Sequence, residues 1–98
     1  MLCMLHWSRA YDERYDAVDI EGIVAHDLVH RAVNGCLLDE VDCGEFWREV
    51  KVIAKEIATT RCAKCTPRQK FIIKTYSVAT KKKYPEVWKQ LRYMYKNS

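Results

Sequence analysis

Turn-forming residues are scarce in this chain. Three glycines and two prolines among 98 residues leave few places for tight turns, which favours helices over a β-sandwich. No β-hairpin signal competes with that preference. Apolar runs stay far short of the roughly 20 residues that a membrane span needs. Also missing are a glycine-rich phosphate loop, a nucleophile elbow and any Ser, His and Asp set at catalytic spacing, so nothing marks the chain as an enzyme. Neither a repeat nor a Ser/Gly-rich linker divides it, and 98 residues make one domain. A chain this short buries only roughly 60–70% of the surface its unfolded form exposes, so its core is marginal unless something braces it.

What the chain does have is cysteine and a lopsided charge. Residues 1–50 hold 4 Lys/Arg against 11 Asp/Glu, and residues 51–98 hold 13 against 2, which together give the overall +4. Such asymmetry can mark a basic arm for nucleic acid or an anionic membrane. The simpler reading is that acidic and basic faces meet across one bundle. Lys81-Lys82-Lys83 precede Tyr84-Pro85, where a helix must end and cations complement its dipole.

Apolar periodicity is helical nearly throughout. Asp19 is placed to cap a short helix beginning at Ile20. Residues 27–38 carry Leu28, Val29, Ala32, Val33, Leu37 and Leu38 near a 3.6-residue repeat, which predicts an inward stripe there. Phe46, Val50, Ile53 and Ile57 form a second stripe. Thr66-Pro67-Arg68-Gln69 is a helix start with a capping Thr and Gln three residues later. That helix is expected to run to about Lys83, with Ile72, Ile73, Tyr76 and Ala79 inward. Pro85-Glu86 opens a last helix, with Val87, Trp88, Leu91, Met94 and Tyr95 on its apolar side. The fold class expected is all-α.

Five cysteines are present, Cys3, Cys36, Cys43, Cys62 and Cys65, and the last four form a compact pattern. Disulfides are the usual meaning of such a set in a short chain, and they imply an oxidising compartment. Zinc is an alternative, since Cys62-x2-Cys65 has the spacing of half a knuckle, but the other pair is too widely spaced. A redox C-x-x-C normally accompanies a βαβ pattern, which is absent. His26 and His30 lie one helical turn apart, yet no third metal ligand accompanies them. The apolar segment Met1–Trp7 lacks a basic region, so residues 1–10 read as a signal-peptide remnant or leader ahead of a domain at 11–98, with Cys3 outside it.

The spacing Cys36-x6-Cys43-x18-Cys62-x2-Cys65 resembles the four-cysteine signature of the insect chemosensory, or OS-D-like, proteins. Flanking segments are similar too: Tyr15-Asp16-x-Val18-Asp19-Ile20, Cys36-Leu37-Leu38-Asp39, Cys62-Ala63-Lys64-Cys65-Thr66-Pro67-Arg68-Gln69-Lys70 and Pro85-Glu86-Val87-Trp88-Lys89-Gln90-Leu91. The resemblance covers about residues 11–95 without gaps.

It implies a compact bundle of five or six short helices around an apolar channel, with disulfides Cys36–Cys43 and Cys62–Cys65. It further implies a secreted carrier of fatty acids, long-chain alcohols, esters or pheromone-like molecules. Such a carrier is expected to be a monomer, without cofactor or metal, nucleic-acid partner or stable membrane insertion.

By position Tyr15 and Trp88 match aromatic channel residues, and Val50 and Ile73 match aliphatic ones; Val33, Ile53 and Tyr76 complete the candidate wall. Inward stripes are more often packed core, and Ile53, Ile57, Leu37 and Leu91 also read that way. Trp47 reads as an exposed aromatic or an edge of the channel mouth.

Departures from the family pattern are Val33 in place of Tyr, Leu28 in place of Arg, and Gly44-Glu45-Phe46-Trp47 after the second cysteine of the pattern. The last helix is also shortened at Ser98. Together they suggest a wider or more open cavity. The alternative is a protein whose basic half engages an anionic membrane or an acidic protein.

Overall fold

The computed structural model describes residues 11–96; Cys3 and the proposed leader lie outside them. A 3-10 turn spans Glu13–Ala17, and five α-helices follow. These are α1 (Ile20–Ala25), α2 (Asp27–Leu37), α3 (Glu45–Thr60), α4 (Pro67–Lys83) and α5 (Pro85–Lys96). No strand occurs among the described residues, so the all-α expectation holds.

Local chemistry sets the helix starts. Asp19 Oδ1 accepts from the Gly22 N–H at 3.1 Å and caps α1. At α4 the capping box is complete: Thr66 Oγ1 accepts from the Gln69 N–H at 3.1 Å, and Gln69 Oε1 accepts from the Thr66 N–H at 3.0 Å. Gln69 does more than cap, because its Nε2 donates to the Asp12 carbonyl at 3.0 Å and ties the 3-10 turn to α4. Gly44 precedes α3 with φ of 100°, a backbone that side-chain-bearing residues avoid. Tyr84 ends α4 and Pro85 opens α5, as the Tyr-Pro pair requires.

Both disulfides form between near neighbours, Cys36–Cys43 with Cα atoms 5.7 Å apart and Cys62–Cys65 with 5.1 Å. The first pins the end of α2 to the start of α3. The second closes the turn into α4, where Arg61 and Cys62 both take left-handed φ values of 57° and 64°. Two successive non-glycine residues in that region are strained on their own. Neither cystine crosses the bundle, so the helices are held to one another by packing and polar contacts.

Helix α4 packs on α1, α5 and the 3-10 turn; α2 meets α1 and α3; α3 meets α5. Acidic and basic halves do meet, through Arg68 with Glu21, Lys83 with Asp27 and Lys51 with Asp39. These pairs are exposed and contribute little stability.

One stripe is corrected. On α2, Leu28, Val29 and Ala32 face outward, and Leu28 is 78% exposed. The buried face is instead that of His30, Val33, Asn34 and Cys36. Polar side chains take the inward places because α4 supplies them with partners.

Candidate functional site

Helices α3, α4 and α5 present their apolar stripes to an interior space that the side chains do not fill. Helix α3 is amphipathic over 16 residues, yet buries none of them completely. The space is a cavity of about 380 Å³, within the size range of small-molecule sites.

Every candidate wall residue is on that wall. Tyr15 enters from the 3-10 turn and Val33 from α2, while α3 contributes Val50 and Ile53. Ile73 and Tyr76 come from α4, and Trp88 from α5. Ile53, Ile57 and Leu37, read also as packed core, lie on the wall and keep partial exposure. Leu91 faces the cavity and is also buried, at 4% exposure. Trp47 lines the cavity rather than standing outside it.

Sequence reasoning missed Tyr11, Ala54, Arg92 and Lys96 on the wall. For Arg92 and Lys96 the signal was available, since they continue from Trp88 at four-residue steps along one helix face. Tyr11 had none, because its place depends on the segment folding back so that its N–H reaches the Lys64 carbonyl.

Polar groups on the wall are mostly committed to the protein. The Tyr11 hydroxyl donates to Glu56 at 2.5 Å, Tyr15 to Glu49 at 3.2 Å, Tyr76 to Asn34 Oδ1 at 2.6 Å and Tyr95 to the Leu37 carbonyl. Burial, and then the Glu56 carboxylate, push the Tyr11 phenol up to about 12. Burial does the same to Tyr95, which also reaches about 12, and raises Tyr76 further. The Tyr11, Tyr76 and Tyr95 rings therefore stay neutral near physiological pH and act as apolar surface with their hydroxyls tied back.

The two histidines do not share a site. His26 is exposed, with Nδ1 3.0 Å from the Gly22 carbonyl oxygen. His30 is fully buried, its Nε2 2.8 Å from Thr80 Oγ1 and its Nδ1 without a partner. Its ring stands edge-on to Tyr84, with centroids 5.0 Å apart. No group of three metal-ligating residues occurs among the described residues, and no helix there is long and apolar enough to cross a membrane.

Comparison with known proteins gives this geometry a context. The chain is 29% identical over 92 residues to "Allergen Tha p 1" of Thaumetopoea pityocampa, covering 91% of this chain and 73% of that one. It is 32% identical over 89 residues to "Ejaculatory bulb-specific protein 3" of Drosophila melanogaster, covering 87% and 68% respectively. No solved structure matches the chain. A profile of the insect pheromone-binding family A10/OS-D matches residues 11–98, and together these likenesses place the chain in that family of small-ligand-binding proteins.

Proposed function

We propose that the protein is a secreted, monomeric carrier that takes one long apolar molecule into the cavity between α3, α4 and α5. The observation that carries this reading is a space of about 380 Å³ walled by aliphatic and aromatic side chains. Helical stripes that normally close on each other face it instead. Tyr15, Val33, Val50, Ile53, Ile73, Tyr76 and Trp88 are the residues proposed to touch the ligand. Two disulfides and a pheromone-binding family support passage through an oxidising secretory route.

Burying an alkyl chain contributes roughly 0.8 kcal/mol per CH₂ before ordering costs are deducted, so affinity should track chain length until the cavity is full. The test is displacement of an apolar fluorescent probe by saturated chains from dodecyl to octadecyl, using oxidised protein. Saturable displacement that tightens with length is expected, with a weaker response in Trp88→Ala. No probe uptake by oxidised, helical protein would overturn the carrier reading.

A further inference from the structure

Two charged side chains line the cavity, Arg92 and Lys96, and both are cations; no Asp or Glu is on the wall. Both are also exposed, which sets them at the rim rather than in the depth. With Trp88 they form a line at four-residue steps along α5, from the indole wall toward the end of the helix. Neither takes part in an ion pair among the described residues.

The other polar groups on the wall offer little to a ligand. All four tyrosine hydroxyls there are donated to protein oxygens, and both ends of the Gln69 amide are occupied. Apart from the Ser77 hydroxyl, what remains are N–H donors: the indoles of Trp47 and Trp88, the Arg92 guanidinium and the Lys96 ammonium. A head group that only accepts hydrogen bonds and carries negative charge fits this set best.

We infer that the cavity selects single-chain amphiphiles with an anionic head, holding a carboxylate between Arg92 and Lys96 while the tail runs inward past Trp88. This rests on the carrier reading and narrows it to acids over neutral alcohols and esters. Cations near a helix C-terminus also complement the helix dipole, but that role requires neither residue to face the cavity.

The test compares hexadecanoate, hexadecanol and methyl hexadecanoate on the oxidised protein, on the Arg92→Gln/Lys96→Gln variant, and on a Lys74→Gln/Lys81→Gln control. The control removes the same charge from exposed sites off the wall. Hexadecanoate should bind the unsubstituted protein roughly five- to tenfold tighter than hexadecanol, since charge-assisted hydrogen bonds exceed neutral ones even when solvent weakens them. That margin should vanish in the rim variant and survive in the control. Added salt should weaken the acid and leave the alcohol alone.

Equal affinity for acid and alcohol, or an equal loss in the control, would overturn the head-group assignment and leave the carrier standing. Failure of all three ligands to bind would remove both.

Discussion

The contact between α2 and α4 is centred on enclosed polar side chains, His30 with Thr80 and Asn34 with Tyr76. Helix α3 lines the cavity through Val50, Ile53 and Ile57, and buries no residue fully. His30 and Thr80 are 0% exposed, and Asn34 is 4% exposed.

A hydrogen bond enclosed by protein has one good geometry and is costly to break, so the α2–α4 contact specifies a single arrangement. Aliphatic side chains facing a space have many near-equivalent arrangements. The contrast is between two side-chain pairs held in one arrangement across α2 and α4 and apolar stripes that leave a space between them.

The sharpest way to break this comparison is to remove the polar lock. His30→Ala leaves a void and strips Thr80 of its partner, and should destabilise by about 3 kcal/mol. Urea unfolding of the oxidised protein measures it. A cost no larger than that of a wall truncation would mean that the lock does not specify the frame.

A second comparison runs along the wall itself. Leu91→Ala removes a buried side chain and should cost about 3 kcal/mol, whereas Ile53→Ala, already facing open space, should cost about 1 kcal/mol. Probe affinity should separate the two roles, because Ile53→Ala ought to weaken binding more than its small stability effect suggests. Equal stability losses would show that α3 is packed core.

The smallest effect expected is a pH dependence of the lock. Burial holds the His30 ring below its ordinary value of 6.5, Lys83 pushes it further the same way, and Asp27 opposes both. Tyr76 and Tyr84 are the titratable rings against it. In the unfolded chain His30 takes its proton near 6.5, before it does so in the fold. Stability is therefore full above that pH and declines as pH falls below it, until the ring titrates in the folded state too. Urea midpoints between pH 7.5 and 5.5 should fall, and less steeply in His30→Gln. Equal slopes in the two proteins would remove His30 from the account.

The helix starts were legible because their causes are local. Asp19, Thr66-Pro67-Arg68-Gln69 and Tyr84-Pro85 act on backbone groups a few residues away, and each does in the structure what its spacing implies. On α4 and α5 helical periodicity turned Ile72, Ile73, Tyr76, Trp88, Leu91 and Tyr95 inward, and all six line the cavity, but it passed over Arg92 and Lys96. The α2 face was not. Its stripe of Leu28, Val29 and Ala32 outscores His30 and Asn34 on hydrophobicity, and only partners 50 and 42 residues away, Thr80 and Tyr76, turn the polar side inward.

Spacing along the chain was enough for five helices and for the caps at Asp19 and Thr66, because these depend on neighbouring residues, whereas the pairs Cys36–Cys43 and Cys62–Cys65 were implied by the family resemblance. Tertiary structure alone decided that the apolar stripes enclose a space instead of closing on one another. It also decided that four tyrosine hydroxyls are tied back to protein oxygens. Periodicity names the face a side chain occupies, but only the distance to the opposing helix determines whether that face meets another side chain or a cavity.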